Sequence, residues 1–233
     1  GMFAKIADAY AARFGAPEAA MAKIAAKNHA NGADNPFAQL RQALDESFCA
    51  TESPGNPRVA GRLLRTDCSP ISDGAAAVVL AAADARPAGK PAVRLRATAQ
   101  VTDLMPMSAR DMSELAGCRE AWRQALDRAG VSLGDLDCVE THDCFTIAEL
   151  MQYEAMGLAA PGQGARVLEE GVVHPGGRLP VNLSGGLSMH VLASWLLLGR
   201  FGADRLPPAR LAGVFNMGGA GVSNCVSILE RVE

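Results

Sequence analysis

A histidine and a cysteine two residues apart, His142 and Cys144, are the side chains best placed by type and spacing to move protons on a substrate. They lie in Leu136-Asp137-Cys138-Val139-Glu140-Thr141-His142-Asp143-Cys144-Phe145, where a short apolar run ends and a helical pattern starts at once. Ligand sites of α/β sheets gather beyond the C-terminal ends of strands. A cysteine near a helix start has its thiolate favoured by the free N–H groups and the dipole. Side chains alternate along an extended segment, so positions 142 and 144 share a side and form a candidate acid–base pair. A buried structural cysteine beside a surface histidine fits the same spacing, and the residues alone leave both readings open.

Two glycine-rich stretches could bring backbone close to a ligand. Pro180-Val181-Asn182-Leu183-Ser184-Gly185-Gly186-Leu187 reads as a turn leading into a helix, so its N–H groups either face a ligand oxygen or merely cap that helix. Asn216-Met217-Gly218-Gly219-Ala220-Gly221 superficially suggests a nucleotide loop. A dinucleotide fingerprint needs a helix after the glycines, and here a strand pattern follows. A tight hairpin whose backbone lines a site fits better.

The elements that must hold these residues fall into two parts. Residues 1–64 read as helical: Phe3, Ile6, Ala7 and Tyr10 keep helical spacing, and a second helix opens at Pro17 and carries Met21, Ile24 and Ala25. Turn residues predict a loop over 28–36, with a third helix over 36–48. Residues 65–233 alternate: strands over 75–83 and 93–101, a helix over 112–129 stopped by Gly130, then a strand over 136–140. Thr146 with Glu149 reads as a capping box for a helix ending at Gly157. A helix over 187–201 and two strands, 211–215 and 222–229, close the chain. Strands separated by helices, then two adjacent strands, predict an α/β fold with a mixed sheet covered by helices.

Composition narrows the function classes. With 22 Lys+Arg against 25 Asp+Glu there is no basic excess to attract nucleic acid or an anionic membrane. The longest apolar run, 191–198, is too short to span a bilayer. The six cysteines keep no zinc-site or paired spacing, so neither a disulfide framework nor a metal site is expected. No signal peptide is read at the start, and a cytoplasmic location is expected.

Taken together, Glu140-Thr141-His142-Asp143-Cys144-Phe145, Val181-Asn182-Leu183-Ser184-Gly185-Gly186-Leu187 and Asn216-Met217-Gly218-Gly219-Ala220-Gly221 resemble, in order and spacing, the sterol-carrier-protein-type thiolases. Lys27-Asn28-His29-Ala30-Asn31-Gly32 resembles that family's loop domain, and residues 67–77 resemble the last strand of its N-terminal half. The resemblance implies a thiolase-like half-fold, with 1–64 a loop-domain remnant and 65–233 the C-terminal-type α/β domain. It implies Claisen-type acyl transfer with coenzyme A or acyl-CoA as substrate and no covalently bound cofactor. His142 then forms part of an oxyanion hole, Cys144 is the acid–base group, and Asn216 completes the catalytic set. Phe145, Gly185, Gly186, Met217, Gly218 and Gly219 then line the substrate. Cys225 reads as core.

Two features that the resemblance leads one to expect are missing from this sequence. No cysteine stands in the context of the family's nucleophile; Cys49 closes a helix and Cys68 sits in Asp67-Cys68-Ser69-Pro70. No Gly-His-Pro follows Gly185-Gly186-Leu187; Ser188-Met189-His190-Val191 comes next, with His190 read as an ordinary helix residue. The chain alone is therefore expected not to be a competent thiolase. Three readings follow: a fragment or split subunit of an acyltransferase, a non-catalytic acyl-CoA- or protein-binding relative, and a retro-aldol lyase on the same fold. The expected partners are acyl-CoA and either a second copy in a homodimer or an N-terminal-half subunit, since a lone half exposes an apolar layer.

Overall fold

A computed structural model describes residues 1–86, 89–185, 189–201, 206 and 208–233. In chain order its elements are α1 (Met2–Phe14), α2 (Glu18–Ala33), α3 (Glu46–Ala50), β1 (Arg58–Ala60), β2 (Leu63–Leu64) and β3 (Ala92–Thr102). There follow α4 (Ala116–Ala129), β4 (Cys138–Thr141), α5 (Thr146–Ala155), α6 (Gly164–Glu169), α7 (Met189–Leu197), β5 (Leu211–Gly218) and β6 (Ser223–Val232). The main sheet has the order β3-β6-β5-β4, with β4 and β5 parallel and the other pairs antiparallel. This is the mixed sheet expected from the alternating pattern. Among the described residues no helix is long and apolar enough to cross a membrane.

Both faces of the sheet are covered, which is why β5 is apolar almost throughout. Leu211 and Phe215 join the cluster that contains α1, α2, α4 and α5, while Ala212 and Val214 join the one containing α7. On α4, Cys118, Ala121, Trp122, Ala125 and Ala129 recur at helical spacing and are buried. Trp122 lies so close to β5 that a Cβ on Gly213 would come within 2.6 Å of its ring. Gly130, at φ 64°, takes the left-handed turn that ends α4. The helix α5 is buried on nearly every side, against α1, α2, α4 and α6.

Four expectations are corrected. The 28–36 stretch is not a loop throughout, because α2 continues to Ala33 and its late polar residues find buried partners. The helix expected over 36–48 is only Glu46–Ala50, capped by the Asp45 carboxylate accepting from Phe48 N at 2.7 Å. Phe37 and Leu40 upstream are exposed, so no buried face supports a longer helix there. The strand expected over 75–83 does not form: residues 70–82 have no regular structure and are exposed throughout. Its Val and Ala content suits a buried strand, but a strand needs a neighbour, and none lies beside it among the described residues. Finally, Thr146 and Glu149 make no capping box: Phe145 occupies the N-cap, Thr146 Oγ1 donates to Asp67 Oδ1 at 2.7 Å, and Glu149 is engaged elsewhere. The expected 187–201 helix is seen as Met189–Leu197, with Leu187 outside the described residues.

Candidate functional site

Parallel pairing of β4 with β5 sets Thr141 opposite Phe215, so His142 and Asn216 leave adjacent strands at the same C-terminal end of the sheet. Asn216 and Gly218 are exposed there, and Met217 between them is buried, as strand alternation requires. Beyond them Gly219, Ala220 and Gly221 all have positive φ, at 59°, 54° and 83°. They turn the chain into β6, giving the expected hairpin. Cys225 was expected in the core; it is half-buried, directly opposite Asn216.

The 142–145 loop is fastened along its length. The His142 carbonyl accepts from Gln152 Nε2 at 2.6 Å, and the Cys144 carbonyl accepts from Ser69 N at 3.1 Å. Phe145 stacks on Phe3 of α1 with centroids 4.5 Å apart. The His142 imidazole makes no hydrogen bond to protein among the described residues, and burial lowers its pKa, so it is neutral near pH 7. Burial, with Asp143 second, pushes the Cys144 thiol up to about 12. The opposite was expected from its place before a helix. Here desolvation and an adjacent carboxyl outweigh the N–H groups of Phe145 and Cys144, and the group rests as a protonated thiol.

Beneath this loop lies a buried polar cluster. Lys27 of α2 and Glu149 of α5 form an ion pair at 2.8 Å with side chains 1% and 0% exposed. Lys27 Nζ also donates to Val181 O at 2.8 Å and to Asn28 Oδ1 at 2.6 Å. Asn28 Nδ2 donates to Asp143 Oδ2 at 2.9 Å and Glu149 Oε2 at 2.5 Å. Tyr153 Oη donates to Glu149 Oε1. Asn182, held at φ 56°, donates to Glu149 Oε2 at 2.9 Å and accepts from Thr141 N at 2.7 Å. On the far side Ser184 donates to Glu140 through both its N and its Oγ. Burial drives both remaining carboxyls upward, Asp143 to about 8 with repulsion from Glu149, and Glu140 to about 7 against its Ser184 bonds.

The other expected residues fall as follows. Gly185 turns against α2 at φ 77°, its N–H donated to Asn182 O at 2.9 Å, and a Cβ there would lie 2.7 Å from Gly32 Cα. Gly186 lies outside the described residues. His190 is on α7 and shares a 3.0 Å hydrogen bond with Ser227 of β6. Neither Cys49 nor Cys68 is activated; burial raises both thiols, Cys49 to about 11. Among the described residues no group of three His, Cys, Asp or Glu could hold a metal ion.

Residues 99–231 match the family described as "Thiolase C-terminal domain-like". The chain belongs to that family. It is similar to the acetyl-CoA acetyltransferase of Methanothermobacter thermautotrophicus, 33% identical over 99% of this chain and 63% of that protein. It is similar to the Homo sapiens sterol carrier protein 2, 34% identical over 93% of this chain and 42% of that protein. The chain thus spans less than two thirds of these relatives. The same fold is found in the solved Ltp2-ChsH2(DUF35) aldolase, with a TM-score of 0.82 at 20% identity over 98% of this chain and 62% of that one.

The sequence of this thiolase-type chain singles out the His142 and Asn216 loops, which the fold brings to one end of the sheet, and does not single out the Lys27–Glu149 pair. The signal was available. Glu149 interrupts the apolar run Ile147-Ala148-Leu150-Met151, and Lys27 falls three residues after buried Ile24 on the same helical face. Charges at core positions imply each other as partners.

Proposed function

We propose that this chain supplies the acid–base half of an acyl-CoA acyltransferase site, acting in Claisen condensation and thiolysis. The observation that carries the reading is that one loop holds a protonated Cys144 thiol and a neutral His142 imidazole with no hydrogen-bond partner among the described residues, at the sheet end where Asn216 leaves β5. In the thiolysis direction the bond between the α- and β-carbons of a β-ketoacyl-CoA breaks. The electron pair moves to the departing enolate, His142 donates a hydrogen bond to its oxygen, and the Cys144 thiol delivers a proton to its carbon. The nucleophile that accepts the acyl group comes from elsewhere, since burial raises the thiol pKa of both buried Cys49 and half-buried Cys68.

A second thiolase-type α/β half is the partner that would bring it. The support is the exposed arm 70–82, where Ile71 is 106% and Val79 95% exposed. The arm is apolar on both faces, so it suits a sheet covered on both sides. The chain's own edges do not offer one: β3 carries Arg94 and Arg96, and β4 is flanked by the Val139–Val181 bridge. The arm leaves the fold at Ser69, whose N–H holds the Cys144 carbonyl, so a half bound there lies next to the acid–base loop.

The test is acetoacetyl-CoA cleavage by the chain co-purified with its native partner, alongside calorimetry with coenzyme A and light scattering of the chain alone. Thiolysis by the complex and none by the chain alone is expected. A stable homodimer without a second half would move the partner to a second copy, and coenzyme A binding without turnover would leave a binding protein. Retro-aldol cleavage is the second reading, favoured by the proton-donating Cys144 thiol; turnover of β-hydroxyacyl-CoA in place of thiolysis would establish it.

A further inference from the structure

Lys27 and Asn28 take no part in the proton transfer outlined above, yet between them they touch both loops around it. Lys27 Nζ has three hydrogens, and each has an acceptor: Glu149, the Val181 carbonyl and Asn28 Oδ1. Asn28 Nδ2 has two, and it reaches Asp143 in the 142–145 loop and Glu149 in α5. Every side-chain donor of the pair is thus used, and the acceptors outside α2 lie on three different segments. Glu149 and Asn182 close the circuit by fixing Thr141 N, the last backbone donor before His142. The helix α2 has a separate apolar anchorage through Met21 and Ile24, so its attachment to the core does not depend on these polar groups.

We propose that Lys27 and Asn28 are positioning residues that set the place of His142 and Cys144 by clamping the 142–145 loop to the 181–185 turn. This rests on the reading that the 142–145 loop performs the acid–base work. The clamp acts on the loop through Asp143, whose side chain is held by Asn28 while its neighbours His142 and Cys144 are held by their backbone carbonyls. Loss of the clamp frees the side-chain restraint and leaves the backbone ties, so the loop loosens while the core stays folded.

The test labels the six thiols of the chain with iodoacetamide and resolves each by peptide mass. Cys118 on α4 and Cys138 on β4 are fully buried and report on the core, while Cys144 reports on the loop. In Asn28→Ala the Cys144 rate is expected to rise about tenfold, the size of a local opening, with Cys118 and Cys138 unchanged. Lys27→Met also breaks a buried ion pair, so it is expected to raise all three rates, Cys144 the most, and Asn28→Ala is the deciding variant. In Asn28→Ala an unchanged Cys144, or a rise shared by all three cysteines, overturns the proposal. Labelling needs no coenzyme A, so a negative result leaves acyl transfer standing, and absence of acyl transfer leaves the clamp standing.

Discussion

Replacing Asp143 by asparagine should remove a loss of stability that the wild-type chain suffers as pH rises. Asp143 shares its surroundings with the carboxyls of Glu149 and Glu140, and Lys27, a cation among them, is in contact with Glu149. Its folded pKa, raised to about 8 by burial and by Glu149, lies far above the unfolded carboxyl value. Such a group contributes stability that is fully present below the unfolded pKa and lost as pH rises through the folded one. The window therefore runs from about pH 4 to about pH 8. One retained proton gives a slope of at most about 1.4 kcal/mol per pH unit, so about 4 kcal/mol is the ceiling between roughly pH 5 and pH 8. Relaxation of the surroundings and coupling to the raised Glu140 carboxyl reduce this to about 1–2 kcal/mol. Asparagine keeps an oxygen for Asn28 Nδ2 but cannot ionise. Urea unfolding at both pH values, with a slope of about 2–3 kcal/mol per M, would then show the wild-type midpoint falling about 0.5 M further than that of the variant, which keeps only the alkaline loss due to Glu140. Parallel movement of the two midpoints, or a larger alkaline loss in the variant, would refute the buried-proton argument.

Four further outcomes are expected. Lys27→Met should cost about 3 kcal/mol in urea unfolding, the lower end for breaking a buried pair, because Glu149 keeps its donors from Asn28, Asn182 and Tyr153. Arg123→Ala, which removes an exposed partner of Glu120, should stay within about 0.5 kcal/mol in the same assay. Gly185→Ala should cost about 1–3 kcal/mol in urea unfolding, since both its φ of 77° and the approach of Gly32 oppose a Cβ. Val79→Asp should abolish binding of a second half in gel filtration yet leave the chain's own stability within about 0.5 kcal/mol, because Val79 is 95% exposed.

The elements that read clearly in sequence are those whose stability is local or whose burial pattern is regular. On α4 the apolar stripe and the glycine stop agree, and the β5–β6 hairpin follows from two apolar runs around a glycine-rich turn. The 75–83 run has the same apolar, β-branched character as β5, but character does not supply the neighbour a strand requires. Residues 28–33 contain the Asn and Gly that ordinarily mark a turn, and they stay helical because Asn28 and Asn31 spend their amides on Asp143, Glu149 and Asn182. Thr146 and Glu149 fit a cap by spacing, but each has a partner distant in sequence that spacing cannot reveal. Cys144 shows the same limit in its chemistry: its position before α5 favours the thiolate, and only the folded surroundings make desolvation the larger effect.

The buried cluster is costly in a way that points to its use. Two charged side chains and the Glu140 carboxyl, with half-buried Asp143 beside them, sit where apolar residues of similar volume would stabilise the fold as well or better. A purely apolar contact, however, is non-directional and would leave the 142–145 loop and the 181–185 turn free to slide against α2. Directional bonds remove that freedom. Lys27 ties the carbonyl of Val181, Asn182 ties the amide of Thr141, and Asn28 ties Asp143, so the backbone entering and leaving His142 is set from α2. Phe3 on α1 and Ser69 at the root of the exposed arm hold the other end of the loop. The two ends therefore answer to different parts of the molecule: the His142 end to a closed internal network, and the Cys144 end to a segment whose apolar residues lie in solvent. A half that covers the arm acts on Cys144 through Ser69 first, and reaches His142 only through the clamp.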